Sequence, residues 1–364
     1  MAPLRESDLA GIARSVSSLD EAAMRATADI LDGLTKPPGS LGRLEDVLVS
    51  LAGITGQPRA PLRPRTIVVA AADHGVARRG VSAYPAEVTA QMVANFAAGG
   101  AAISVLARAI DASLVVVNAG VAGVAAGTVS RRRLRVRATG RDRGTDDLSV
   151  GPAMSRADAL AAIGTGLSVA ADEVARGAAL TAVGEMGIGN STAASALTAA
   201  LTGEPPDLVT GRGTGLDEAG RRRKVAVIEE ALAVNAPDPA DPLGVLAAVG
   251  GLEIAVLVGV LIGTGTAPVP ALLDGFITGA AALVACRIAP PLASRLLASH
   301  RSAEPGHAVV LDELALRPLL ELDLRLGEGT GAALAIGVLD AAVALRDEMA
   351  TFGAAGVSGR TSPG

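Results

Sequence analysis

The sequence predicts an α/β fold, a parallel sheet with helices on both faces. Three observations carry this expectation. Short apolar, strand-like runs alternate with longer helical patterns. Each run ends in small or polar residues, as strands do where they deliver a ligand site. The interior must be built from alanine, valine, leucine and glycine, because half of the 364 residues are apolar but only Tyr84, Phe96, Phe276 and Phe352 are aromatic. Small side chains of this kind suit helices packed tightly on a parallel sheet.

The first sixty residues read as helical, with a break at Lys36-Pro37-Pro38-Gly39-Ser40-Leu41-Gly42. Residues 66–72 form the first strong strand, and Asp73-His74-Gly75-Val76 follow it. A helix over 86–109 leads to a strand at 114–118, then a helix at 155–176 to a strand at 179–183. Glycine-rich Gly184 to Gly189 opens a helix at 191–201. A strand at 208–210 runs into Gly211-Arg212-Gly213-Thr214-Gly215, and a helix at 218–234 follows. Residues 254–273 carry no charge over a length that could cross a bilayer. Gly263 to Thr266, Pro268 and Pro270 interrupt that run, which fits a buried helix, a loop and a strand at 269–273 better. A helix at 275–288, a strand-like run at 308–311 and a helical pattern at 332–345 complete the chain. The expected organisation is a helical segment at 1–60, a Rossmann-like α/β core at 61–312, C-terminal helices at 313–352 and a disordered tail at 353–364. The N- and C-terminal helices are expected to pair in a small helical subdomain.

Composition excludes several function classes. A net charge of −5 argues against a general nucleic-acid binder. Residues 131–143 hold seven arginines without interleaved aromatics, and read as a solvated, exposed segment. Cys286 is the only cysteine, so no intrachain disulfide forms, and its apolar neighbours make it a core residue. Scattered charges over residues 1–20 do not form a secretory signal, and the cytoplasm is the expected compartment. No membrane association is expected.

The residues that point to chemistry lie at the predicted strand ends. Glu328 stands among glycines in Gly327-Glu328-Gly329-Thr330-Gly331, directly before a helix. Two readings stand: it caps that helix, or it is a general base held against a substrate. Gly184-Glu185-Met186-Gly187-Ile188-Gly189-Asn190-Ser191-Thr192 has the same character, although Asn190, Ser191 and Thr192 also suit simple N-capping. Gly213, Thr214 and Gly215 offer backbone donors for a phosphate, with Lys224 as compensating charge; the alternative is a tight turn and a solvated basic face. Ser302 is a further phosphate donor or a plain loop serine. Asp73 and His74 mark a site or an Asx turn with a surface histidine. His74, His300 and His307 are the only histidines, and none has metal-ligand spacing to another His or Cys, so no metal site is expected. The chain lacks a P-loop, a convincing dinucleotide loop, and the acidic pair before Thr-Gly-Gly that marks users of phosphoribosyl pyrophosphate. A monophosphate bound without a metal is the reading that remains.

These stretches together resemble the nicotinate-nucleotide–dimethylbenzimidazole phosphoribosyltransferase family, enzymes of cobalamin lower-ligand synthesis. The matching segments are TKPPGSLGRLE at 35–45, DHGV at 73–76, GVSAYPAEVTAQMVANF at 80–96, GEMGIGNST at 184–192, GRGTG at 211–215 with Lys224, DGFI at 274–277, SHRSAEPGH at 299–307 and LDLRLGEGTGAALA at 322–335. They follow one another in order, and the resemblance runs from about residue 35 to residue 347. Asn118 departs from the pattern, since the family usually carries aspartate there.

The resemblance implies transfer of 5-phosphoribose from nicotinate mononucleotide to 5,6-dimethylbenzimidazole, giving α-ribazole 5′-phosphate and nicotinate with inversion at the anomeric carbon. It implies that Glu328 is the base and that Glu185 lies near the ribose or leaving group. It places Gly187, Gly189, Asn190, Gly213, Thr214, Gly215, Lys224 and Ser302 around the phosphate and ribose. Tyr84, Gln91, Met92 and Met186 resemble the wall of the acceptor pocket, with core packing the other reading of the two methionines. Asp73, His74 and Asp274 are further site candidates. No cofactor or metal is implied, the partners are the two small-molecule substrates, and the family suggests a homodimer. Transfer to another base (benzimidazole, adenine or a phenol) and a non-catalytic nucleotide-binding relative are the alternatives.

Overall fold

The computed structural model describes residues 3–124, 130–131, 134–138 and 143–359. Seven strands form one sheet: β1 (Arg65–Ala72), β2 (Ser113–Gly120), β3 (Ser130–Arg131), β4 (Leu134–Ala138), β5 (Leu180–Met186), β6 (Ala271–Leu273) and β7 (Leu296–Ala298). Their order is β3-β4-β2-β1-β5-β6-β7, and every pairing is parallel except β3 with β4. The chain builds outward from β1 through β2 and β4, then returns to add β5, β6 and β7 on the other side. The β1/β5 boundary is therefore the switch point, beside which ligands of open parallel sheets bind.

The helices follow in chain order. α1 (Glu6–Arg14), α2 (Glu21–Asp32) and α3 (Arg43–Thr55) precede the sheet. α4 (Val88–Ala98) and α5 (Ala102–Ala109) connect β1 to β2, and α6 (Arg156–Ala175) leads into β5. α7 (Asn190–Thr202), α8 (Pro206–Val209), α9 (Glu218–Asn235), α10 (Pro242–Val249) and α11 (Leu252–Gly265) separate β5 from β6. α12 (Phe276–Ile288), α13 (Pro305–Glu313), α14 (Thr330–Glu348) and α15 (Phe352–Ala355) complete the set.

Alternation along β1 sorts the core into two layers. Val68, Ala70 and Ala72 face a cluster built with α6, α7, α10, α11 and α12. Ile67, Val69 and Ala71 face a second cluster with α3, α4, α5 and α14. α11 and α6 approach backbone to backbone, because a Cβ on Gly166 or Gly259 would strike the facing helix. Arg295 is 2 % exposed and donates to the carbonyls of Ser17 at 3.4 Å, Ile54 at 3.2 Å and Ala267 at 2.6 Å, tying the N-terminal helices to the end of α11.

Several expectations are corrected. The apolar run 86–109 is two helices, because Gly99 turns the chain at φ +83°, and each half is too short to cross a bilayer. Residues 208–210 and 308–311 lie in or beside helices α8 and α13 rather than strands. Each of those helices starts on a proline, whose fixed φ and missing N–H suit a first turn. Of the arginines expected to be solvated, Arg135 and Arg137 on β4 are half-buried and pair with Glu173 and Asp172 of α6, Arg143 is exposed, and Arg132, Arg133 and Arg141 lie outside the described residues. The first turn of the expected tail is α15, capped by Thr351 and bonded through the Phe352 N–H to the Gly33 carbonyl at 3.3 Å. Residues 360–364 lie outside the described residues.

Candidate active site

Three buried carboxylates converge at the carboxyl edge of the sheet. Glu185 ends β5, Asp274 follows β6, and Glu328 precedes α14. β5 and the Glu328 loop touch directly: the Glu328 N–H donates to the Glu185 carbonyl at 3.2 Å, and a Cβ on Gly184 would overlap the Glu328 backbone. Only glycine allows that approach. Glu328 itself holds φ at +63°, a left-handed conformation that L-residues rarely take. Its side chain turns away from α14. Oε2 accepts from the Ile103 N–H at 3.3 Å, in the first turn of α5, where the helix dipole favours an anion. Burial raises its pKa, and the Ile103 amide opposes that rise.

Asp274 caps α14 instead. It accepts from the Gly329 N–H and the Ala332 N–H, each at 3.0 Å. The capping reading of Glu328 is thereby excluded. Burial pushes Asp274 up to about 7, against the amide bonds from Ala332 and Gly329 and with help from the Glu328 charge. Glu185 rises further, to about 8, through burial and the nearby Asp274 and Glu253 charges; its bond from the Asn190 side chain works the other way. Burial among neighbouring carboxyls thus favours the protonated form of Glu185.

His74 and Asp73 leave the end of β1. His74 is 3 % exposed, and its Nε2 lies 2.7 Å from Glu253 Oε1, so the surface-histidine reading fails. Its ring packs against Gly187 and its Cβ against Gly189. Asp73 accepts from the Ala122 N–H at 2.8 Å, and burial raises its pKa. Asn118 Oδ1 accepts from Gly120 N–H at 3.0 Å and Val121 N–H at 2.8 Å. The position thus bonds backbone amides with its oxygen, a task that asparagine and aspartate share.

A basic site lies beside the start of α7. Lys224 is completely buried, not solvated, and donates to Ser191 Oγ at 2.9 Å. A Cβ on Gly213, which holds φ at +51°, would lie 3.0 Å from that Oγ and 3.4 Å from Lys224 Nζ. Burial pushes Lys224 down to about 8, while the Glu304 charge supports its protonated form. Asn190 and Ser191 do not cap α7: the N-cap is Gly189 at φ +99°, and their side chains go to Glu185 and Lys224. Thr214 accepts from the Ala83 N–H and bonds Ser82, each at 3.0 Å, which joins its loop to the segment before Tyr84. Ser302 is 8 % exposed, its N–H donates to His307 Nδ1 at 2.9 Å, and its Oγ accepts from the Glu304 N–H at 3.3 Å.

The candidates for an apolar wall differ in exposure. Tyr84 is 55 % exposed, Gln91 is exposed, and Met92 and Met186 are half-buried against the core. Thr89 of α4 accepts from the Ile188 N–H at 3.1 Å and fixes this helix against the β5–α7 turn. Sequence reasoning did not single out Thr89, Glu253 or Glu304. Only Glu253 carried a signal, as the lone acid at the head of a charge-free run.

An α/β transferase acting on a phosphate-bearing small molecule is the class that this fold and site define. A phosphoribosyltransferase family model matches residues 16–357. The chain is 55 % identical over 345 residues to the nicotinate-nucleotide–dimethylbenzimidazole phosphoribosyltransferase of Roseiflexus castenholzii, covering 95 % of this chain and 96 % of that one. The enzyme of the same name from Halalkalibacterium halodurans is 50 % identical over 347 residues, 95 % of each chain. The crystal structure of CobT from Thermus thermophilus superposes with a TM-score of 0.86 at 48 % identity, over 93 % of this chain and 99 % of that one. The chain belongs to the nicotinate-nucleotide–dimethylbenzimidazole phosphoribosyltransferase family.

Proposed function

We propose that the protein transfers 5-phosphoribose from nicotinate mononucleotide to a ring nitrogen of 5,6-dimethylbenzimidazole, with Glu328 as general base. The observation that carries this reading is the freedom of the Glu328 carboxylate. Asp274 takes the helix cap, so a buried acceptor at φ +63° is left facing the start of α5. The donor's pyridinium leaves as neutral nicotinate ring nitrogen, so its departure needs no proton. The ribose carbon gains oxocarbenium character as that bond breaks. The incoming benzimidazole attacks with one nitrogen, and Glu328 takes the proton from the other, which is worth about 10²–10⁴-fold in rate. A β-linked donor and an α-linked product require attack from the opposite face, hence inversion. Glu185 stands by the ribose.

Lys224, beside the turns that carry Gly187, Gly189, Gly213 and Gly215, binds the phosphate, supported by Asn190, Thr214 and Ser302. Tyr84, Gln91, Met92 and Met186 receive the acceptor base. Two thioether side chains in that wall adapt to different ring sizes, so benzimidazole and related bases are accepted as well. A homodimer in the cytoplasm is the expected form. Incubation of the protein with nicotinate mononucleotide and 5,6-dimethylbenzimidazole, followed by chromatography and mass spectrometry, tests the reading. α-Ribazole phosphate with equimolar nicotinate is the expected result. Nicotinate release without that product would sink the assigned acceptor.

A further inference from the structure

Glu304 is a buried carboxylate that the transfer chemistry does not use. It is 7 % exposed and sits at the N-cap of α13, yet its side chain makes no cap bond. It reaches across to the Gly211–Gly215 loop. Oε1 accepts from the Gly213 N–H at 2.9 Å. Oε2 has no hydrogen-bond partner among the described residues and lies against Gly211, where a Cβ would collide with it. The Glu304 N–H in turn donates to Ser302 Oγ at 3.3 Å. Gly213 meets Lys224 and Ser191 on its other side. One side chain therefore links the loop that bears Ser302 to the loop that bears Gly213, beside the buried ammonium of Lys224. A carboxylate in that position also meets a cost, since it places negative charge near an expected phosphate. Retaining it there requires a compensating benefit, and the hydrogen bonds identify one.

We infer that Glu304 is a positioning residue for the phosphate of the donor: by accepting the Gly213 N–H it fastens the Gly213 loop to the Ser302 loop, so that the Ser302 hydroxyl and Lys224 face one anion. The assignment rests on the phosphate reading of this site. Its loss leaves the acceptor pocket and Glu328 untouched, so its signature is confined to the donor.

The test compares Glu304→Ala and Glu304→Gln with Lys224→Ala in the full chain. Steady-state kinetics with each substrate, calorimetric binding of inorganic phosphate, and thermal melts are the readouts. Glu304→Ala is expected to raise KM for nicotinate mononucleotide about tenfold, the scale of one hydrogen bond to a charged group. Phosphate binding weakens in parallel, while KM for the base and kcat at saturating donor stay unchanged. Glu304→Gln keeps an oxygen for the Gly213 N–H and restores most of the donor affinity. An unchanged donor KM in Glu304→Ala, or equal rises for both substrates, overturns the positioning role. If Lys224→Ala also leaves phosphate binding intact, the phosphate reading itself fails; an effect of Lys224→Ala alone removes only Glu304. Should Glu304→Ala not fold, Gly211→Ala drives a methyl into the Glu304 carboxylate. It should reproduce the donor-specific rise, and a wild-type donor KM there equally overturns the assignment.

Discussion

Asp274, and not Glu328, caps the helix that Glu328 precedes. Asp274 crosses from the end of β6 to accept the Gly329 and Ala332 amides, and Glu328, one residue before that helix cap, points instead to Ile103 on α5. A carboxylate occupied as a cap would be a poor base, because its lone pairs would already be engaged by amides. Separation of the roles leaves Glu328 with a single amide bond and room to accept a proton.

Glu328→Gln tests that division. The amide keeps the size of the side chain and an oxygen for the Ile103 N–H, so the variant is expected to fold and to bind both substrates. Turnover should fall by about 10²–10⁴-fold. Single-turnover kinetics beside calorimetric binding checks it, and a wild-type rate would remove Glu328 as base.

Lys224→Ala is expected to raise KM for nicotinate mononucleotide by about 10–100-fold, as loss of a charge-assisted contact does. KM for 5,6-dimethylbenzimidazole should change little. Initial rates with each substrate varied in turn separate the two, and equal effects would count against a phosphate contact.

Stability should fall as pH rises from about 6.5 to 8. Glu185 and Asp274 titrate near 8 and 7 in the fold, far above their unfolded values near 4, so over this window the folded chain holds protons that the unfolded chain has lost. Proton release on unfolding makes the slope negative. Below about 6.5 the sign begins to oppose, because burial holds His300 near 4 and His307 near 3, and the unfolded chain then binds the extra protons. Urea titrations across pH 5–8 read the slope. Glu185→Gln should flatten its alkaline part, and an unchanged slope would argue that Glu185 is ionised throughout.

Asn118→Asp is expected to keep fold and turnover, because the oxygen that accepts from Gly120 and Val121 is present in both residues. Asn118→Ala leaves two buried amides without that acceptor, at about 1–3 kcal/mol. Urea unfolding of the pair, with turnover measured alongside, decides whether charge matters there.

The sequence by itself determined the layered plan. Continuous apolar strands such as β1, the alternation of strand and helix, and the glycine-rich strand ends all follow from local periodicity and local backbone freedom, which a sequence displays directly. The ordered motifs also carried the resemblance that the comparisons bear out at family level. Short elements were less legible: residues 208–210 and 308–311 have apolar content that suits either state, and the prolines at the helix starts were the deciding signal. Arg135 and Arg137 looked solvated because their partners, Glu173 and Asp172, lie on α6, over thirty residues away in the chain. The tertiary structure alone decided the partners of the charged groups. Burial of Lys224, the His74–Glu253 pair, the reach of Glu304 to Gly213, and the choice of Asp274 over Glu328 as helix cap all depend on elements far apart in sequence. Desolvation and hydrogen bonding act through space, so a residue's type announces what it can do, and only the packing around it selects which of those things it does.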